Sequence, residues 1–108
     1  MELKKIIAIF RNHLLEGVEN RLRELDVKGI TVSRVKGYGE YRQFFTEDGL
    51  SEEARIEVFT TEDKVDAIVR AILESAHTGM AGDGLVAVIP VEKLFRIKSG
   101  SEALPSEI

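Results

Sequence analysis

The chain has 108 residues, of which 44% are hydrophobic and 31% charged, and it carries a formal net charge of -4 with no cysteine. This length forms one domain rather than two, and the missing cysteines exclude disulfides and zinc–thiolate sites. The acidic balance disfavours nucleic-acid binding through phosphate contacts, and no apolar run approaches the roughly 20 residues of a membrane span. We therefore expect a single cytoplasmic domain over residues 1–108, without a signal peptide or direct membrane insertion.

The first half of the chain predicts a strand, a helix and a second strand. Residues 3–10 are rich in isoleucine and indicate a buried strand. Asn12 is placed to cap a helix that continues to about residue 26. Its apolar residues recur at helical spacing and are Leu14, Leu15, Val18, Leu22 and Leu25. Gly29 is expected to end this element, and the alternation over residues 30–35 predicts the second strand.

The second half repeats this order after a long segment without clear periodicity. Residues 40–53 show neither a helical nor a strand period, which is typical of a functional loop. Residues 54–60 alternate as a third strand, and Thr61 or Asp63 begins a second helix. A glycine-rich turn then leads into an apolar fourth strand over residues 85–89.

The order of elements predicts an α+β protein with the split βαβ pattern of a ferredoxin-like βαββαβ sandwich. Such a domain has one antiparallel sheet with two helices on one face. The first and fourth strands are apolar on both sides, which predicts that the second face of the sheet is buried as well. An oligomer would bury it.

Three segments could bind phosphate, and each has a simpler alternative. Residues 78–84 hold three glycines, whose backbone N–H groups can form an anion-binding nest, or they are only a helix end and a tight turn. Residues 36–39 contain two glycines that allow close approach to a ligand, or form a flexible strand end. Arg96 and Lys98 point the same way if their segment is extended and can then hold a polyphosphate, or they are solvated.

Catalytic groups are scarce in this sequence. His13 and His77 lie in different elements and suit helix ends, and no acid–base pair or Ser–His–Asp order stands out, so we do not expect an enzyme. Tyr41, Phe44 and Phe45 lie inside the irregular loop. There they either fold back on the domain or contact a partner.

Together these segments resemble the PII family of signalling proteins over almost the whole chain. The matching segments are residues 4–9, 29–32, 36–39, 55–58, 78–84, 90–92 and 96–100. Thr-Gly-x-x-Gly-Asp-Gly at 78–84 is the most specific motif of that family. The resemblance implies a homotrimer that binds an adenine nucleotide between subunits, regulates a membrane transporter or metabolic enzyme, and catalyses nothing.

The resemblance also implies three loops and a set of site residues. The T-loop would be about residues 37–53, the B-loop 78–84 and the C-loop about 94–100. Gly82, Asp83 and Gly84 would cradle phosphates, which Arg96 and Lys98 would reach from the adjacent subunit. The other expected nucleotide-binding positions are Ile7, Gly29, Ile30, Thr31, Gly37, Tyr38, Gly39, Glu57, Val58, Phe59 and Leu85, and the expected partner contacts are Tyr41, Phe44 and Phe45.

The chain departs from the usual family pattern at several ligand positions. Leu85 stands where a lysine usually follows Gly-Asp-Gly, and Lys98 replaces the second arginine of an Arg-x-Arg pair. Both changes weaken phosphate contacts and favour ADP or AMP over ATP. Tyr41 and Glu53 replace the glutamine and lysine that hold magnesium and 2-oxoglutarate, which argues against both ligands. The T-loop is short and lacks the tyrosine motif that is uridylylated.

Residues 39–41 with Phe44 and Phe45 are similar to a divergent branch of PII-like proteins associated with inorganic-ion transport and carboxysomes. This similarity gives an alternative function, a sensor of a small anion such as bicarbonate that works with bound nucleotide. Two further alternatives are a metal-binding trimer and a slow nucleotide hydrolase. The missing cysteines and the two histidines argue against the first, and the missing base and lysine argue against the second.

Overall fold

The computed structural model describes residues 2–37 and 50–108. The elements, in chain order, are β1 (Leu3–Arg11), a 3-10 turn (Asn12–Leu14), α1 (Leu15–Glu24), β2 (Thr31–Gly37), β3 (Ser51–Thr61), α2 (Glu62–Ala76), β4 (Leu85–Val91), β5 (Phe95–Arg96), β6 (Ser101–Glu102) and a second 3-10 turn (Pro105–Glu107). The first four strands form one antiparallel sheet in the order β2–β3–β1–β4, and β5 pairs with β6. The predicted ferredoxin-like βαββαβ topology is confirmed.

The hydrophobic core lies between one face of the sheet and the two helices. Alternate residues of β1 and β3 face the helices because side chains of a strand alternate between its two sides. The buried apolar residues of these four elements are Ile6, Ala8, Phe10, Val18, Leu22, Ala54, Ile56, Val58, Ile68, Ala71, Ile72 and Ala76. Burying each large side chain contributes roughly 1.5–3 kcal/mol, so this layer fixes which sheet face points outward.

The opposite sheet face is partly apolar and is not covered by the helices. Ile7 pairs with Ala87, and Ile9 pairs with Leu85, whose side chain is 59% exposed. One row further along, Lys5 pairs with Ile89, which is 38% exposed. An apolar surface of this kind supports the prediction that another subunit covers it.

The ends of α1 differ from the sequence prediction. Asn12 does not cap the helix: it lies in the preceding 3-10 turn, and α1 begins at Leu15 without a side-chain cap hydrogen bond. Gly29 does not end the helix either. The helix stops at Glu24 because Asp26 adopts a left-handed conformation (φ +60°), with its N–H donating to the Arg23 carbonyl at 3.0 Å. Aspartate tolerates this conformation better than most residues do, so a glycine is not required.

Strands occupy both ends of the predicted loop over residues 37–53. Gly37 is the last residue of β2 and pairs with Ser51, and Glu53 pairs with Val35. The Ser51 hydroxyl donates to Glu53 Oε1 at 2.6 Å, and its oxygen also lies 3.3 Å from the Gly37 carbonyl oxygen. The polar start of β3 has no apolar alternation, so its pairing with β2, rather than its own pattern, extends the strand.

Candidate functional site

The glycine-rich segment between α2 and β4 folds as a turn with three left-handed glycines. Gly79, Gly82 and Gly84 have φ values of +85°, +97° and +101°. Only glycine adopts such angles readily, which explains the spacing of the motif. Position 84 needs glycine for a second reason, because a Cβ there would lie 1.8 Å from the Ile9 carbonyl oxygen on β1.

The Asp83 carboxylate closes this turn on itself. Its Oδ2 accepts the backbone N–H groups of Thr78 at 2.9 Å and Gly79 at 2.8 Å, and its Oδ1 accepts the Thr78 hydroxyl. The Thr78 hydroxyl oxygen in turn accepts the Met80 N–H at 3.2 Å. These donors, the Thr78 hydroxyl first, hold the pKa of Asp83 well below its ordinary value. The carboxylate is thus engaged within the turn, so only the backbone of Asp83 remains for its expected role in a phosphate cradle.

Arg11, at the end of β1, joins the turn to the sheet and was not anticipated from the sequence. Its Nε donates to Asp83 Oδ1 at 3.2 Å, and its Nη2 donates to the Ala81 carbonyl at 2.8 Å. Both charged side chains are about one quarter exposed, at 24% and 22%. The sequence feature that could have indicated this contact is an arginine at the end of an apolar strand. The end of that strand lies beside the turn that precedes β4.

Several of the expected nucleotide-binding residues lie together on the sheet face away from the helices. Ile7, Glu57 and Thr31 form one row across β1, β3 and β2, and Phe59 lies in the next row. This row is two residues along β1 from Ile9, about 7 Å, and Ile9 pairs with Leu85 next to the glycine turn. The turn and the row are therefore neighbours on one face of the sheet.

The charged side chains of this face are already paired. The Glu57 carboxylate lies 3.3 Å from Lys5 Nζ and 2.7 Å from Arg55 Nη2. Lys5 Nζ also lies 5.7 Å from the centroid of the Phe59 ring. A ligand that approaches here meets a cluster of ion pairs between neighbouring strands.

The remaining expected residues are placed less directly. Val58 faces the core and is 2% exposed, so only its backbone is near the row of Glu57. Gly29 and Ile30 precede β2, and Ile30 packs against the core. Gly37 ends β2, as described above. Tyr38, Gly39, Tyr41, Phe44 and Phe45 lie outside the described residues.

Arg96 and Lys98 do not share an extended segment, so the predicted geometry is wrong. Arg96 ends β5, and Lys98 lies in the four-residue turn that connects β5 to β6. The chain reverses here because Gly100 adopts φ +69° and donates its N–H to the Arg96 carbonyl at 2.9 Å. The Arg96 guanidinium donates to the Glu107 carbonyl at 2.9 Å, whereas Lys98 is exposed and forms no ion pair with another described residue. Their reach to the phosphates of an adjacent subunit stays a prediction.

A small apolar cleft adjoins the glycine turn. It has a volume of about 90 Å³ and lies between the end of α2 and the start of β4. Ligand pockets for molecules of nucleotide size usually measure roughly 300 Å³ or more. This cleft of a single chain is therefore too small for a nucleotide. Among residues 2–37 and 50–108, no group of three acidic or histidine side chains could hold a metal ion, and no helix there is long and apolar enough to cross a membrane.

Comparisons with known proteins point to one family. A family model described as Nitrogen regulatory protein P-II matches residues 3–101. The Nitrogen regulatory protein P-II of Azospirillum brasilense is 36% identical over 107 residues, covering 93% of this chain and 96% of the relative. The P-II 1 protein of Escherichia coli K12 is 35% identical over 107 residues, with the same coverage of 93% and 96%.

Plant relatives match as well. The P-II homolog of Oryza sativa is 32% identical over 114 residues, covering 98% of this chain but only 54% of the rice protein. A crystal structure of Arabidopsis thaliana PII bound to citrate superimposes with a TM-score of 0.81 at 28% identity, covering 94% of this chain and 86% of that chain.

The close approach at Gly84 predicts a large loss of stability on substitution. Gly84→Ala combines a left-handed conformation with a Cβ that would overlap the Ile9 carbonyl, so it should lower the free energy of unfolding by at least about 2 kcal/mol. Gly17→Ala is the matched control: the site lies in α1 with nothing within 4 Å of the added Cβ, and should gain about 0.5–1 kcal/mol. Urea denaturation measures both, and a Gly84→Ala protein as stable as its parent would contradict the turn geometry.

The lowered pKa of Asp83 predicts that its contribution to stability depends on pH. The unfolded carboxyl titrates near about pH 3.9, so the stabilisation is complete above that value and is lost as pH falls toward the lower folded pKa. Asp83→Asn should therefore be less stable than the parent at neutral pH, with a gap that narrows below about pH 4. Thr78→Val removes the hydroxyl that donates to Asp83, so it should also lower stability at neutral pH, by an amount that shrinks below about pH 4. Denaturation at a series of pH values tests this, and a gap independent of pH would count against the carboxylate contacts.

Proposed function

The chain belongs to the P-II family of nitrogen regulatory proteins, and on that premise we propose that it senses adenine nucleotides, with ADP or AMP preferred over ATP. P-II family proteins are signal-transduction regulators rather than enzymes, and trimeric assembly is characteristic of them. In this proposal the nucleotide lies in a cleft between subunits of a homotrimer. Its identity sets the contact that the T-loop makes with a membrane transporter or a metabolic enzyme.

The observation that carries the proposal is the glycine turn that Asp83 and Arg11 hold through hydrogen bonds. Asp83 accepts the N–H groups of Thr78 and Gly79, and for the phosphate we propose the backbone N–H groups of residues 82–84. A nest of N–H groups binds an anion without side-chain charge. Because Asp83 and Arg11 hold the turn through hydrogen bonds within the chain, little conformational entropy is lost when phosphate binds.

The surroundings of the turn support a site shared between subunits. Leu85 and Ile89 are exposed on the sheet face away from the helices, and the cleft beside the turn is too small for a nucleotide. A neighbouring subunit on this face would bury the apolar side chains and add a second wall beside the turn. The neighbour would also bring its Arg96 and Lys98 toward the phosphates.

The nucleotide preference follows from the cations available. Leu85 offers no charge directly after the glycine turn, and Arg96 is held by Glu107, which leaves Lys98 as the C-loop cation that forms no ion pair with another described residue. Fewer cations favour fewer phosphates. For the base and ribose we propose the row of Ile7, Thr31 and Glu57. For the partner we propose Tyr41, Phe44 and Phe45.

A second candidate, anion sensing, is favoured by the citrate in the solved plant relative. Citrate is a small carboxylate anion. A backbone nest that accepts phosphate also accepts carboxylate. In this version the protein binds an anion such as bicarbonate together with nucleotide, and the two ligands change each other's affinity.

Calorimetric titration with AMP, ADP and ATP tests the primary proposal. We expect about one nucleotide per subunit at micromolar affinity, with ADP or AMP bound more tightly than ATP. Lys98→Ala should weaken ADP binding by about tenfold or more, because a hydrogen bond to a charged group contributes roughly 1.5–3 kcal/mol. Lys93→Ala, at an exposed lysine nearby, should leave affinity unchanged.

The outcomes separate the proposals. Absence of binding by all three nucleotides would refute the sensor, and an equal loss in the Lys98→Ala and Lys93→Ala variants would refute the role of Lys98. Citrate and bicarbonate are titrated with and without ADP. Unchanged affinities in both directions would exclude coupling between an anion and the nucleotide.

A further inference from the structure

The second 3-10 turn (Pro105–Glu107) contacts one of the two cations that are expected to bind phosphate. Arg96 Nη2 donates to the Glu107 carbonyl at 2.9 Å, and Arg96 Nε lies 3.8 Å from the Glu107 carboxylate. We propose that Glu107 is a specificity-determining residue, which competes with the ligand for Arg96 and so disfavours ATP relative to ADP and AMP. The proposal rests on the proposed nucleotide site and adds to it a residue outside the three expected loops.

The edge of the guanidinium that faces Glu107 is one that a phosphate also uses. Arginine binds phosphate best through two parallel hydrogen bonds from neighbouring nitrogens. In Arg96, Nε and Nη2 form such a pair, and both nitrogens are turned toward Glu107. A phosphate that binds this edge therefore takes the place of the Glu107 carbonyl and lies beside a carboxylate of like charge.

Contacts on both sides of Glu107 hold it beside Arg96. The Glu107 carboxylate accepts the Leu104 N–H at 2.9 Å, which closes the 3-10 turn. Before this turn, Ala103 is buried. After it, Lys64 of α2 donates to the Ile108 carbonyl at 3.2 Å. The position of the carboxylate is thus fixed by the backbone around it as well as by its contact with Arg96.

The exposure of the pair makes the competition partial. The Arg96 and Glu107 side chains are 51% and 46% exposed, and an exposed ion pair stabilises only weakly. A phosphate can therefore displace Glu107 at a small cost. The cost increases with the charge of the ligand, because the carboxylate repels a triphosphate more strongly than a diphosphate. The expected result is a preference for shorter phosphate chains, and nucleotide binding is retained.

Glu107→Gln tests the proposal because it removes the charge and keeps the shape of the side chain. The amide oxygen can still accept the Leu104 N–H, and the backbone carbonyl that contacts Arg96 is unchanged. Calorimetric titration should show ATP binding strengthened by about two- to fivefold, ADP binding strengthened by a smaller factor, and adenosine binding unchanged.

Glu102→Gln is the matched control, because it changes the net charge by the same amount on the same β5–β6 hairpin. Glu102 pairs with Phe95, whereas Arg96 pairs with Ser101, so the side chains of Glu102 and Arg96 lie on opposite sides of the hairpin. The affinities of Glu102→Gln for ATP and ADP should equal those of the parent.

An Arg96→Gln background shows whether Glu107 acts through Arg96. Arg96→Gln should weaken ATP binding by itself. Adding Glu107→Gln to it should not strengthen ATP binding, because the cation for which Glu107 competes is gone. The same gain in both backgrounds would show a general effect of charge and would overturn the proposal.

The remaining outcomes separate this proposal from the proposed function. If the parent binds ADP but Glu107→Gln leaves the ratio of ATP to ADP affinity unchanged, or weakens ATP binding, the specificity role of Glu107 is wrong and the nucleotide site stands. A change of equal size in Glu102→Gln would also overturn that role. If the parent binds no nucleotide, the proposed function fails, and the role of Glu107 fails with it.

Discussion

The carboxylate of Asp83 is the interaction on which the candidate site depends. Two backbone N–H groups, one hydroxyl and one guanidinium converge on its two oxygens. Without them, a segment with three left-handed glycines would lose little energy by adopting other shapes. These donors lower the pKa of Asp83 and thereby favour its ionised form. The conformation of the turn is therefore determined by an acidic side chain, although the turn is proposed to bind an anion.

The sheet supplies the second constraint, because it decides what the turn faces. The helices pack against the central strands on one side of the sheet, which leaves Ile7, Ile9 and Leu85 on the other side. The close approach of Gly84 to the Ile9 carbonyl holds the turn against β1. Strand β1 thus contributes to the core, to the uncovered face and to the candidate phosphate site. Its last residue, Arg11, contacts the turn directly.

Sequence patterns predicted the fold well because its elements have strong periodicity. The first and fourth strands carry apolar runs, the second and third carry apolar alternation, and both helices carry an apolar stripe. The order of these elements left one familiar topology. Boundaries set by tertiary contacts were missed. Asp26 ended a helix where Gly29 was expected, and β3 extended over polar residues 51–53 through pairing with β2.

The site was predicted less completely for a related reason. Residue identity suggested that Asp83 faces the ligand and that Arg96 and Lys98 share a direction. Both expectations depend on backbone geometry, which a sequence motif does not specify. N–H groups of the turn itself donate to Asp83, and the chain reversal at Gly100 separates Arg96 from Lys98. Arg11 lies about seventy residues from its partners in sequence, so no local pattern could have connected them.

Amide chemical shifts in an NMR titration would test the central claim most directly. The protein would be titrated with ADP and, separately, with adenosine. The account predicts that the amides of residues 82–84 shift with ADP and not with adenosine, whereas those of Thr78 and Gly79, already donated to Asp83, shift little. Phosphate-dependent shifts confined to Thr78 and Gly79, or no shift in the turn at saturating ADP, would contradict it.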